Sequence, residues 1–252
     1  MNAIIIAGGK STRIRPLSNE IPKTMIEVYG KSILERQIEV FQRCGISDIT
    51  AVTGYHSEKI NLPNINCIKN EEYKTTNVNE GLFCAKAKLN DSVIITYGDI
   101  IFEYEVLEQI LNFKGDIGVV IDLDWEKQYT GKFGRPISEA DNVIMNKKQI
   151  LKISKNLTKK DDLILSESIG IFKLSKTGAK ILLDRYNHLK KSHMGKFHSA
   201  SSFKNAFFMD MIQDLIDTNV IVEPIPINGR WCEIDTQLDL ERAMEIFSYQ
   251  SK

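Results

Sequence analysis

The feature that most narrows the fold is the unbroken apolar run Ala3-Ile4-Ile5-Ile6-Ala7, closed by Gly8-Gly9. A strand with one wet face alternates apolar and polar residues. A short run with no polar member suits a strand covered on both faces, as in a parallel sheet between layers of helices. The next segment agrees. Ser32 and Glu35 form a capping-box pattern, Leu34, Ile38 and Phe41 recur at helical spacing, and Gly45 supplies a C-terminal stop. Asp48 to Gly54 reads as a second strand. Strand, helix, strand implies a right-handed crossover between neighbouring parallel strands.

The alternation continues with strands over 65–69, 92–97 and 117–122 and helices over 78–89 and 104–112. The pattern then changes. Residues 142–145 and 149–154 flank an Asn-Lys-Lys turn as a hairpin, and 169–174 returns to strand. Helices at about 176–189 and 205–217 precede short strands at 220–227 and 231–234, and Thr236 caps a last helix to about residue 248. The expected fold is α/β and Rossmann-like: a mixed, mostly parallel sheet with helices on both faces. With no repeat or linker in view, residues 1–252 are expected to form one domain.

Charge excludes one class of partner. Lys plus Arg and Asp plus Glu both number 33, so the chain lacks the basic surplus that nucleic-acid binding needs. The Lys-rich stretch from Lys147 to Lys160 is broken by Ile150, Leu151 and Ile153 and reads as a solvated hairpin. Cys44, Cys67, Cys84 and Cys232 form no CxxC pair, which suits a reducing cytoplasm. The opening MNAIIIAGG is too short for a signal peptide or a membrane span, so a soluble cytoplasmic protein is expected, with a homodimer left open.

The candidate chemistry starts at the end of the first strand. In AGGKSTRIRP, from Ala7 to Pro16, Gly8 and Gly9 let backbone amides approach a polyphosphate, and Lys10, Arg13 and Arg15 add positive charge. It is not a Walker A loop, because Ile4 stands where the first glycine belongs, and Lys10 breaks the dinucleotide fingerprint. Two acidic positions lie far along the chain. Asp99 follows the apolar strand of VIITYGDI at its C-terminal end, where ligands of open α/β sheets gather. WCEIDT offers Glu233 and Asp235. Separated strand-end carboxylates plus a phosphate loop meet the needs of a Mg²⁺ site for a triphosphate.

The run from Met1 to Glu39, with its glycine loop, Pro22-Lys23 and Gly30-Lys31-Ser32, resembles the opening of the sugar-phosphate nucleotidyltransferase superfamily. The resemblance implies that Ala7, Gly8, Gly9 and Lys10 contact the nucleotide and that Arg13 binds its β- and γ-phosphates. It implies that Lys23 stabilises charge as pyrophosphate leaves. The superfamily also carries a Gly-Asp after a central strand and a late Glu-Ile-Asp. This makes Gly98 a nucleotide contact and Asp99 and Asp235 metal ligands, with Glu233 assisting through water.

Further segments resemble the phosphocholine and phosphonate cytidylyltransferase branch: Gly54-Tyr55, Thr76-Asn77, IDLDWEKQY over 121–129, then Arg135, ESIGIF from Glu167, and GRWCEID. By that analogy Gly54, Tyr55 and Asn77 lie near base and ribose, and the nucleotide is CTP. The implied reaction transfers CMP to a small phosphonate such as 2-aminoethylphosphonate, with Mg²⁺ as cofactor. Phosphocholine, another small phospho-compound or a sugar 1-phosphate are the alternative acceptors. An inactive nucleotide-binding regulator is the alternative outside enzymes. Trp125 and Tyr129 share one face of a helical turn beside Asp122 and Asp124, an arrangement that suits an organic cation. Arg135 and Glu167 complete the expected acceptor site, Arg135 facing the phosphonate.

Overall fold

A computed structural model describes residues 1–130, 136–159 and 162–248. In chain order its strands are β1 (Asn2–Ala7), β2 (Glu27–Val28), β3 (Lys31–Ser32), β4 (Ile49–Thr53), β5 (Asn66–Lys69), β6 (Val93–Tyr97) and β7 (Ile100–Phe102). They continue with β8 (Ile117–Asp122), β9 (Asp141–Met145), β10 (Ile150–Lys155), β11 (Ile164–Leu174), β12 (Glu223–Ile227) and β13 (Trp231–Glu233). The helices are α1 (Ile33–Arg43), α2 (Val78–Cys84), α3 (Tyr104–Asn112), α4 (Lys176–Ser192), α5 (Phe208–Asp217) and α6 (Gln237–Ile246).

β1, apolar from Ala3 to Ala7, occupies the middle of the main sheet, parallel to β4 on one side and β6 on the other. The path runs β10-β9-β11-β6-β1-β4-β5, and β8 joins the other edge of β11 and carries β12. β11 runs antiparallel to β6, β8 and β9, whereas the pairings among β1, β4, β5 and β6 are parallel. The expected mixed, mostly parallel sheet is therefore the fold observed.

Alternation along β1 explains its composition. Ile4 packs into a core with Leu82, Leu182, Phe208 and Ile212 of α2, α4 and α5. Ala3 and Ile5 pack into a second core with Leu34, Ile38, Phe41, Val106 and Ile110 of α1 and α3. With helices on both faces, no position of this strand can be polar without cost. α1 starts as the sequence pattern predicts: Ser32 accepts from Glu35 N, and the Glu35 carboxylate accepts from Ser32 N in return.

A third core lies beyond the sheet's edge. It gathers Ile14 from the glycine loop, Ile26 and Val28 from the segment after Lys23, Ile101 of β7, and Ile234 and Phe247 from the C-terminal part. β7 and β13 pair antiparallel through Ile101 and Cys232. These pieces are distant in sequence, and this cluster holds the candidate site's parts against one another.

α4 begins so close to the entry of β8 that a Cβ on Gly178 would come within 1.9 Å of the Asp116 carbonyl oxygen. In an open helix a Gly-to-Ala change gains about 1 kcal/mol. Here backbone must move instead, so Gly178→Ala is expected to lose about 1–3 kcal/mol. Urea unfolding of the variant measures this as a lowered midpoint with an unchanged slope.

Candidate active site

Three parallel strands end side by side on glycines. Ala7 pairs with Thr53 and Ile6 with Tyr97, so Gly8, Gly54 and Gly98 follow at one edge of the sheet. A Cβ on Gly54 would meet the Gly8 carbonyl at 2.6 Å, and one on Gly98 would meet Ala7 Cβ at 2.9 Å. The Tyr55 amide donates to Gly8 O at 3.3 Å. These glycines therefore let neighbouring backbones approach, and the glycine loop leaves the sheet at the C-terminal ends of its strands.

Lys23 enters the same edge from a 3-10 turn, Lys23–Met25, that follows Pro22. It is buried, and its Nζ lies 2.6 Å from Asp99 Oδ2 and 2.5 Å from Asp235 Oδ1. Burial disfavours the ammonium, but Asp99, Asp235 and Glu233 outweigh it and hold the Lys23 pKa above its ordinary value. Arg13 reaches Asp235 through Nη2 and Glu139 through Nη1 at 3.4 Å. Ile234 N donates to Asp99 O at 2.9 Å, fixing Asp99 beside the Glu233–Asp235 segment. Thr236 caps α6 in a box with Asp239, whose carboxylate also accepts from Asp235 N at 3.1 Å.

Asp99, Glu233 and Asp235 offer carboxylate oxygens all within 4.8 Å of one another. Asp99 Oδ1 is buried and has no hydrogen-bond partner. A buried carboxylate oxygen without a donor is costly, and an all-oxygen set suits a hard divalent cation. These residues fit Mg²⁺.

They line a cleft of about 1270 Å³. Of the residues expected at the nucleotide, Ala7, Gly8, Gly9, Asn77 and Gly98 line it. Lys10 is exposed, and neither it nor Gly54 nor Tyr55 is among the lining residues. The Tyr55 hydroxyl instead donates to Asn19 O at 2.9 Å. Asn77 caps α2, its Oδ1 accepting from Val78 N at 2.8 Å.

The expected acceptor residues divide. Glu167 lines the cleft and accepts from the Tyr129 hydroxyl. Asp122, Asp124, Trp125 and Tyr129 are not among the lining residues. Trp125 is buried, packed edge-on against Tyr129 at 5.7 Å. Asp122 is fully buried and accepts from Trp231 Nε1 at 2.7 Å, Asp124 N at 2.9 Å and Gly229 N at 3.1 Å. The Asp122 side chain thus touches the cleft lining through Trp231, and its backbone pairs with that of Glu167, which also lines the cleft. Arg135 lies outside the described residues.

Several lining residues carried no motif in the sequence, among them Asp141, His198 and Asp217. Asn70, in the turn that presents Tyr73, has a local signal, since its Oδ1 accepts from Glu72 N as in an Asx turn. Tyr97 lines the cleft among Asp141, Asp99 and Glu233; burial first, then those carboxylates, raises its phenol pKa well above the ordinary value.

Fold and site together define an α/β nucleotidyltransferase enzyme, and the chain belongs to the family with the MobA-like NTP transferase domain, which matches residues 3–137. It is 30% identical to the CTP:phosphoglutamine cytidylyltransferase of Campylobacter jejuni over 97% of this chain and 100% of that protein. Two solved structures share the fold. The inositol-1-phosphate CTP transferase of T. maritima has a TM-score of 0.74 at 20% identity, covering 98% of this chain and 94% of that one. The CTP:phosphocholine cytidylyltransferase of Streptococcus pneumoniae has a TM-score of 0.69 at 20% identity, covering 98% of each. Among the described residues no helix is long and apolar enough to cross a membrane.

Asp122 gives a direct test of these placements. Asp122→Ala strands the Trp231 indole and two backbone amides, each costing about 1–3 kcal/mol where it stays buried without an acceptor, and is expected to destabilise the fold. Chemical denaturation reads that loss. A variant of unchanged stability with a raised acceptor KM contradicts the buried, structural placement of this carboxylate.

Proposed function

We propose that this enzyme transfers CMP from CTP to a small phosphorylated acceptor and releases pyrophosphate, with Mg²⁺ as cofactor. The observation that carries the reading is the buried Lys23 ammonium held between Asp99 and Asp235 beside the Gly8-Gly9 loop. Such a cation has little use in a fold unless a polyanion comes to it. The full-length likeness to a CTP:phosphoglutamine cytidylyltransferase supports CTP as nucleotide and puts phosphorylated amino-acid derivatives first among acceptors. The expectation of 2-aminoethylphosphonate shares the phosphate-type nucleophile and differs in what the far end of the acceptor presents.

In this mechanism the amides at Gly8 and Gly9 receive the triphosphate, and Arg13 adds charge at its outer end. An oxygen of the acceptor's phosphate attacks the α-phosphorus of CTP, and the bond from that phosphorus to the bridging α–β oxygen breaks. Pyrophosphate departs with the electron pair. Lys23, charged throughout the neutral range, stabilises the negative charge that builds during this exchange. Asp99 and Asp235, with Glu233, would hold Mg²⁺, which when bound neutralises phosphate charge and orients the triphosphate.

Lys23→Ala is expected to lower turnover by a factor on the order of 10² to 10³, about 3–4 kcal/mol, in a folded protein. Asp99→Asn and Asp235→Asn should each weaken the Mg²⁺-dependent rate, and excess EDTA should abolish it until Mg²⁺ is restored. The deciding assay measures pyrophosphate release from CTP with phosphoglutamine, phosphocholine, 2-aminoethylphosphonate and glucose 1-phosphate at equal concentrations. Preference for the sugar phosphate, or activity that survives chelation, overturns this reading.

A further inference from the structure

A further wall of the cleft is built by α5 and β10. β10 pairs with β9, which follows β6 along the same edge of β11, at residues 164–167 against 171–174 for β6. Ile153 N donates to Gln213 Oε1 at 2.7 Å, joining β10 to α5. Facing this wall is a two-residue turn, His198-Ser199, closed by Phe197 N to Ala200 O at 3.1 Å and Ala200 N to Phe197 O at 2.9 Å. His198 is held in the left-handed region at φ 48°, costly for a residue with a side chain. Asp210 Oδ1 fastens the turn by accepting from Ser199 N at 3.0 Å and Ser199 Oγ at 2.7 Å.

The charges on this wall are not equally engaged. Asp214 is taken by Arg185 of α4 through two hydrogen bonds, 2.6 and 3.1 Å. Burial opposes the Asp214 charge, yet His198 and Arg185 outweigh it and bring its pKa down to about 2. Asp210 spends its second oxygen on Phe207 N at 2.9 Å. His198 and Asp217 differ. The imidazole stands at ion-pair distance from Asp214 Oδ1, 3.6 Å, and from Asp217 Oδ2, 3.9 Å, looser than the hydrogen bonds of Arg185 to Asp214. Asp217 accepts from Gln213 Nε2 through Oδ1 and is more than half exposed. Both residues line the cleft, an imidazole beside a carboxylate.

We propose that His198 and Asp217 form the subsite for the amino-acid end of the acceptor, the imidazolium taking its carboxylate and Asp217 its ammonium group. The assignment rests on the cytidylyl-transfer reading above and narrows it to acceptors with a zwitterionic end. The Asp214 carboxylate, ahead of burial, which opposes it, lifts the His198 pKa above its ordinary value. The charged groups around the ring are Asp210, Asp214 and Asp217 on α5 and Arg185 on α4, with Lys152 and Lys155 of β10 on the same cleft wall. Because the His198 pKa is raised, the imidazolium persists to higher pH than that of a free histidine and is lost as pH rises through the raised value.

The test is steady-state kinetics with phosphoglutamine, which carries the carboxylate, and phosphocholine, which lacks it, from about pH 6 to about pH 9. The expected wild-type result is turnover of phosphoglutamine with an acceptor KM that climbs on the alkaline side. His198→Asn, which tolerates the left-handed backbone, should raise that KM on the order of tenfold and remove the climb, while the KM for CTP stays within about twofold. His198→Lys should retain most of the affinity without the climb. Asp217→Asn should raise the phosphoglutamine KM independently of pH. An unchanged phosphoglutamine KM in both His198→Asn and Asp217→Asn overturns the subsite and leaves cytidylyl transfer standing. Preference for phosphocholine or 2-aminoethylphosphonate over phosphoglutamine does the same. Pyrophosphate release with none of the acceptors strikes the underlying reaction as well.

Discussion

One ammonium group organises this molecule's working edge. Lys23 Nζ joins Asp99, which ends a strand of the main sheet, to Asp235, which precedes the last helix. Burying such a trio is a poor way to gain stability, because desolvation of each charge consumes most of the attraction between them. The arrangement makes sense as a site prepared for charge that arrives and leaves. Two cations, Lys23 and Arg13, and the carboxylates of Asp99, Glu233 and Asp235 meet where the glycine loop opens. A triphosphate with a divalent cation can exchange partners there without requiring the fold to supply new groups.

The third core makes that meeting possible. Ile14, Ile26, Ile101 and Ile234 each lie one to three residues from a charged member of the site, and they pack into one cluster. Apolar contact, which has no directional demand, holds the segments together, while hydrogen bonds such as Ile234 N to Asp99 O set their register. The chemistry therefore sits on packed elements, with Lys23 buried and Arg13 the more exposed of the two cations.

What could be read from the sequence was what depends on near neighbours. The α1 capping box, the apolar run of β1, and the carboxylate after β6 follow from residues a few positions apart, and the structure shows each of them in place. Asp122 shows where such reading stops. Asp122 and Asp124 flank an exposed Leu123 and precede a Trp-Tyr turn, a pattern that suits an open binding surface. The Trp231 indole, 109 residues away, takes Asp122 into the interior. Nothing local to Asp122 announces that partner. Gly54 is similar: its neighbours suggest a ligand contact, yet the close approach it permits is to Gly8 O.

The two ends of the cleft differ in the same way. At the end proposed to take the triphosphate, the ligand would be a repeated anion, and any polyphosphate asks for the same amides and cations. Short motifs suffice to encode that demand, so the sequence displays it. The α5 wall is assembled from a helix, an edge strand and a two-residue turn whose register comes only from tertiary contacts such as Asp210 to Ser199 and Gln213 to Ile153. Small changes in that packing alter which charges face the cleft without disturbing Lys23 or its carboxylates. A scaffold built this way can keep one reaction and change its acceptor, and the residues proposed to decide the acceptor are those a linear motif describes least well.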